Sequence, residues 1–222
     1  METLDDLLQD QLKDLYSAEN QLVKALPKMV KKASNASLKE ALSAHLTETE
    51  NQVKRLTQIA EILEIKLGGK KCKAMEGLIE EGKEVLEEDG PVAVIDIAII
   101  GGAQRVENYE IAAYTSAKII AEHLGHSEVA ELLQQTLDEE SLADEKLGEI
   151  AVNDILAEMS DEEDDDEDED DDDDDEDDED DGSGVDEGET DEEFATQTEK
   201  AMSKAPNRGR KPRDTDSERG SK

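Results

Sequence analysis

The stretch LDDLLQDQLKDLYSAENQLVKALPKMVKKA, residues 4–33, decides the fold. Leu4, Leu8, Leu12, Leu15, Leu22, Leu26, Met29 and Ala33 recur at steps of three and four, which places them on one helix face. A helix is predicted from about Thr3 to Ala33. Pro27 lies inside it, and because the stripe continues in register the proline kinks the helix rather than ending it. Glu19 sits in the same line. A carboxylate buried there without a cation or hydrogen bonds costs several kcal/mol.

The same anomaly recurs along the chain. After the break at Ser34-Asn35-Ala36, Ser37 and Glu40 have the spacing of a capping box that opens a second helix. Its stripe reads Ala41, His45, Glu48, Gln52, Arg55, Ile59 and Ile62, and Gly68-Gly69 closes it. Residues 70–90 form a crossover with a short amphipathic helix through Met75, Leu78, Ile79, Val85 and Leu86. Gly90-Pro91 opens a third long helix with proline at a favoured first position. There the stripe is Ile99, Ala103, Val106, Glu110, Ala113, Ala117, Ala121 and Leu124, with Glu107 and Tyr114 beside it. Gly101-Gly102 in this helix reads as a point of close helix approach. A turn at Gly125-His126 follows, with Ser127 as the expected cap. The fourth helix carries Val129, Leu133, Thr136, Glu140, Ala143, Leu147 and Ile150 and ends near Met159.

Two short turns make the helix pairs antiparallel hairpins, and one long crossover joins them. That connectivity is the one found in ferritin-like bundles. Glu19 and Glu48 lie 29 residues apart across one turn, and Glu110 and Glu140 lie 30 apart across the other. With a rise of about 1.5 Å per residue, each hairpin brings its two carboxylates to one level. The expected fold is therefore all-α, an antiparallel four-helix bundle of the ferritin-like kind with a short crossover helix.

Carboxylates on four facing helices can hold two divalent cations, iron or manganese, with bridging Glu groups sharing charge. The candidate metal ligands are Glu19, His45, Glu48, Glu107, Glu110, Glu140 and Asp144. Glu19 and Glu110 are expected as terminal ligands and Glu48 and Glu140 as bridging ones, with His45, Glu107 and Asp144 auxiliary. A single glutamate of this kind is more often a solvated helix face; four at matching depth in apolar stripes favour the metal. No catalytic residue is assigned. Arg55 shares the stripe and is expected to pair with Asp14 or with an unliganded carboxylate, which would let some of the acids be structural. For the three tyrosines before the tail, Tyr16, Tyr109 and Tyr114, core packing with a satisfied hydroxyl competes with hydrogen bonding to a metal ligand.

Leu15-Tyr16-Ser17-Ala18-Glu19-Asn20-Gln21-Leu22 resembles the first-helix signature of the YciE/YciF-like group of ferritin-like proteins. So do His45-Leu46-Thr47-Glu48-Thr49 with Gln52 and Arg55-Leu56, and Cys72 ahead of Met75, Gly77 and Leu78. The resemblance continues through Gln104, Glu107, Tyr109-Glu110-Ile111-Ala112, Tyr114 and Leu137-Asp138-Glu139-Glu140, and it covers about residues 1–155. It implies a bundle related to rubrerythrin-type proteins and a place in bacterial or archaeal stress responses. The chain departs from the Glu-x-x-His pattern of many di-iron bundles, since Asn51 and Ala143 stand where those histidines would fall.

Charge divides the chain. Residues 1–158 carry a net −16 and residues 159–222 a net −23 of the total −39. The first part has the length and apolar content of one domain. The second is expected to be a disordered tail, with an unbroken Asp/Glu run at 161–181 and a mildly basic end around Arg208–Arg213. The acidic balance disfavours direct nucleic-acid binding by the folded part. The lone Cys72 excludes an internal disulfide. Val92–Ile100, the best apolar run, is short and interrupted by Asp96, so no membrane span is expected. The carboxylate layer predicts a cytoplasmic di-metal protein that reduces peroxide or oxygen as an oxidoreductase, and the resemblance implies that it is a ferritin-like protein of oxidative or general stress. The alternative is a non-catalytic dimeric scaffold whose acidic tail binds cations or basic proteins. A homodimer is expected in either case.

Overall fold

The computed structural model describes residues 1–160. The acidic run and the basic end, expected to be disordered, lie outside the described residues. Helix α1 spans Leu4–Lys32, α2 Ala36–Ile62, α3 Lys73–Glu87, α4 Val92–His123 and α5 Ser127–Ile150, which passes into a π-helical segment at Ala151–Leu156. No helix among the described residues is long and apolar enough to cross a membrane. The described domain is all-helical, with four long helices and one short one.

Helix α1 runs through Pro27 without a break and is closed at its start by a capping box that sequence reading missed. Thr3 accepts from the Asp6 backbone N–H at 3.1 Å, and the Asp6 carboxylate accepts from the Thr3 N–H at 3.2 Å. The capping box expected at Ser37–Glu40 is corrected. Asn35 caps α2, its side chain accepting from the Leu38 N–H at 3.0 Å, so Ser37 already lies inside the helix. Ser127 likewise is the first residue of α5 rather than its cap, and His126 flanks the helix without a side-chain bond. Pro91 precedes α4 rather than forming its first residue.

The turn from α4 to α5 needs its glycine. Gly125 has φ +79°, and the His126 N–H returns to the Ala121 carbonyl at 2.9 Å. The turn from α1 to α2 is held from outside. Asp96, buried on α4, accepts from the Ser34 N–H at 2.8 Å and the Asn35 N–H at 2.7 Å. Asp96 thus pins the first hairpin to α4.

Helix α1 packs on α2, α2 on α5, α5 on α4 and α4 on α1, which closes a ring; α3 lies against α1 and α4. The interior has two apolar clusters. One gathers Leu8, Leu12, Leu15, Leu56, Ile59, Tyr114, Ala117 and Leu133, and the other Leu22, Leu26, Leu38, Leu42, Met75, Ile99, Ala103 and Leu147. Along each long helix the buried polar residues other than Asp96 stand between the positions given to the two clusters. They are Glu19 on α1, His45, Thr49 and Gln52 on α2, Glu107 and Glu110 on α4, and Thr136 and Glu140 on α5. Gly101 and Gly102 do not mark a close helix approach: a Cβ at either would meet no atom within 4 Å.

Candidate metal centre

The helix register that buries Leu15 and Leu22 of α1 also buries Glu19, between them and on the same face. On α4 the same holds for Glu107 and Glu110 between Ala103 and Tyr114, and on α5 for Glu140 between Leu133 and Leu147. Each carboxylate is therefore carried inside by apolar residues one or two turns away. Glu19, Glu110 and Glu140 are completely buried.

His45, Glu107, Glu110 and Glu140 come together. Each offers one ligand atom, and these atoms lie within 4.8 Å of one another. The His45 Nε2 is 3.4 Å from a Glu107 oxygen and 3.8 Å from a Glu140 oxygen. Glu19 joins the same buried layer, its carboxylate accepting a short hydrogen bond from the Tyr114 hydroxyl. Of the two tyrosine readings, Tyr114 thus serves both, packed in the core and donating to a candidate ligand. Tyr109 instead donates to Asp14 at 2.7 Å and contacts the Cys72 sulfur at 2.9 Å.

The layer leaves many polar atoms without partners. Both nitrogens of His45, both carboxylate oxygens of Glu110, and one oxygen each of Glu19, Glu107 and Glu140 make no hydrogen bond. Buried polar groups of folded proteins are nearly always paired. The electrostatics agree with the geometry. Burial, followed by repulsion from Glu140, raises the Glu19 carboxyl to about 8. Burial likewise raises Glu107 to about 7 and pushes Glu110 and Glu140 well above the ordinary carboxylate range. Burial lowers the affinity of His45 for a proton, but the Glu48 carboxylate and then Glu140 and Glu19 outweigh it, so His45 is shifted upward. One imidazole cannot balance four buried carboxylates. The donor set, one imidazole nitrogen with carboxylate oxygens, suits iron or manganese and lacks the thiolates of a structural zinc site.

Glu48 and Asp144 are not brought into the group. The side chain of Glu48 is 44% exposed, with one oxygen 3.6 Å from His45 Nδ1. At that length the contact is electrostatic rather than a hydrogen bond. Asp144 is partly exposed and accepts from Asn108 at 3.2 Å. The buried line of α2 runs through Leu38, Leu42, His45, Thr49, Gln52, Leu56 and Ile59, which turns Glu48 to the edge and Gln52 inward. Gln52 donates to Glu140 and, at 3.1 Å, to Glu139. It orients a candidate ligand, and sequence reading had it in the stripe without assigning it a role.

Arg55 pairs with neither Asp14 nor a carboxylate of the layer. Its guanidinium grips Glu139 at 2.7 and 2.9 Å and donates to Thr136. The one arginine near the site is therefore spent on an acid outside the group. A cavity of about 110 Å³ between α2 and α5 reaches His45 and Glu107 from the surface, with Glu48, Glu139, Leu142 and Lys146 lining its outer part.

Residues 3–160 match the family model DUF892, a domain of unknown function. The chain belongs to this family. It is 45% identical over 156 residues to Protein YciF of Escherichia coli K12, covering 70% of this chain and 94% of that protein. The crystal structure of the E. coli stress protein YciF superposes with a TM-score of 0.67, covering 69% of this chain and 97% of that one. YcfI of Rhodopseudomonas palustris is 43% identical, with a TM-score of 0.66 over 68% of this chain and 97% of that one. A Xanthomonas campestris protein at 20% identity and TM-score 0.57, covering 72% and 99%, shares the fold. The kinship expected from the helix signatures is borne out.

Proposed function

We propose that the described domain is a ferritin-like metal protein of the stress response. Two iron or manganese ions are bound among Glu19, His45, Glu107, Glu110 and Glu140, with Glu48 at the cavity rim beside His45. The observation that carries this is the set of buried carboxylate and imidazole atoms with no hydrogen-bond partner. A redox metal pair held by these residues would supply two electrons for the reduction of one peroxide to water, and a second peroxide, oxidised to dioxygen, would return them.

The chain's own residues do the rest. Tyr114 fixes the orientation of Glu19 through its hydroxyl, and Gln52 does the same for Glu140. The apolar clusters on either side keep water from competing for the carboxylates. The cavity beside Glu48 gives small solutes a path to His45 and Glu107. The scaffold alternative required positive side chains to satisfy the core acids, and Arg55 is engaged by Glu139 instead. The relation to the E. coli stress protein supports the stress setting.

The test compares peroxide consumption by protein loaded with Fe²⁺ or Mn²⁺, by metal-free protein and by loaded Glu110→Gln. Turnover confined to the loaded parent supports the proposal. Turnover no greater than that of the free metal ion overturns the peroxide chemistry.

A further inference from the structure

Away from the carboxylate layer, a groove of about 210 Å³ runs between α1, α3 and α4. Its walls are apolar, built chiefly by Leu22, Met29, Leu78, Ile79, Leu86 and Val106. Its polar border includes Lys24, Lys28 and Lys83, and no Asp or Glu is among its lining residues. In a domain of net −16 this is a local reversal of sign. None of the three lysines forms an ion pair among the described residues; like most lysines there they are unpaired, and only Lys70, Lys71, Lys73 and Lys118 have acidic partners.

The floor adds an independent observation. Gly82 of α3 and Gly102 of α4 both line the groove, and both lie inside helices. A glycine in a helix interior costs roughly 1 kcal/mol relative to alanine. Neither has the positive φ that would require it, and a Cβ at either would meet nothing within 4 Å. Packing therefore does not demand these glycines. What they do is leave the slot deep. Its volume exceeds the ~150 Å³ that lets an engineered apolar cavity hold benzene.

We propose that this groove binds a free long-chain carboxylate, its alkyl chain laid over Gly82 and Gly102 and its carboxylate met by Lys24, Lys28 and Lys83. Shape and charge both select this occupant. The apolar surface is confined to the slot, and none of the large exposed hydrophobics of the domain, such as Val92, Ile119 or Leu142, lies on its border. A docking helix needs a broad apolar face; a single alkyl chain needs only the slot. Unpaired lysine ammonium groups at an apolar rim are arranged for an anionic head on an apolar tail. The site is independent of the metal-binding proposal.

The test is isothermal titration calorimetry of the full chain with sodium dodecanoate below its micelle concentration. Alongside run dodecanol, anionic phospholipid vesicles, Gly102→Leu, Gly82→Leu and the triple variant Lys24→Gln, Lys28→Gln, Lys83→Gln. The expected result is saturable binding of one dodecanoate per chain. Affinity falls about tenfold or more in the triple variant and for dodecanol, and saturable binding is lost in whichever glycine variants retain the parent's cooperative melting. The absence of saturable binding to the parent overturns the proposal. So does unchanged affinity in the folded glycine variants, or binding of vesicles without binding of dodecanoate. A chain dimer that Gly102→Leu dissociates would assign the groove to a second copy and overturn it as well.

Discussion

Asp96 and Glu110 are buried acids on the same helix, about four turns apart, and their surroundings are opposite. The Asp96 carboxylate accepts backbone N–H groups from Ser34 and Asn35, so its charge is used to hold the first hairpin. Neither oxygen of Glu110 has a partner, and the charges that shift it are those of other carboxylates, Glu19 first. The first acid is complete within the protein. The second is not, and its oxygens belong to a group that could hold a metal ion. Burial alone therefore does not mark a functional acid; burial without a donor does.

That contrast breaks most visibly under substitution. Asp96→Ala removes the acceptor of two N–H groups and should cost roughly 3 kcal/mol in urea unfolding, with metal content per folded chain unchanged. A neutral effect would mean that Asp96 does not hold the turn. Glu110→Gln should act in the other direction on the metal-free protein, adding about 1 kcal/mol or more at neutral pH, because an amide need not take up a proton to be buried as the Glu110 carboxyl must. The same variant should lose about a hundredfold in Mn²⁺ affinity, beyond what disturbing an outer partner costs. Equal affinity in parent and variant would exclude Glu110 as a ligand.

Acidity marks the buried layer as well. Glu19 is held protonated in the folded chain up to about 8, while its ordinary value is 4.5. Between those values the folded form binds more protons than the unfolded one, so stability falls as pH rises. Calorimetric melting of metal-free protein should therefore show a Tm that drops from about pH 4.5 to about pH 8. Excess Mn²⁺ should remove much of that drop, because the cation replaces the protons, and Glu19→Gln should shrink it in the metal-free protein. A metal-free Tm that climbs over this range would contradict the assignment. The smallest effect belongs to Tyr114→Phe, which deletes the hydroxyl bonded to Glu19. It should cost about 1 kcal/mol of stability in the metal-free protein. An unchanged denaturation midpoint would show that this hydrogen bond contributes nothing.

Much of this was legible in the sequence. The stripes of α1 and α4 placed Glu19 and Glu110 inside because their flanking apolar residues are unambiguous, and the long link between α2 and α4 announced the two hairpins. The second helix was harder. An apolar stripe defines a face at least about 100° wide, and its centre is uncertain when the line is polar. Here His45, Glu48, Gln52 and Arg55 stood on one reading of that face, and Thr49 was passed over. The packing of Leu38, Leu42 and Leu56 turns the helix so that Thr49 and Gln52 face inward and Glu48 reaches the cavity mouth. The partnership of Arg55 with Glu139 had no sequence signal, since it depends on how α2 and α5 lie against each other. Neither did the anchoring of the first turn by Asp96, which joins residues 62 positions apart.

The central claim is that the buried layer is completed by metal. It is tested most directly by elemental analysis of the full chain purified without added metal, alongside Glu107→Gln, Glu140→Gln, with anomalous scattering at the iron and manganese edges from parent crystals. The account predicts iron or manganese in the parent, anomalous peaks among His45, Glu107, Glu110 and Glu140, and loss of most of that metal in the double variant. A parent that stays metal-free after exposure to Fe²⁺ and Mn²⁺, or a double variant with the parent's metal content, would contradict it.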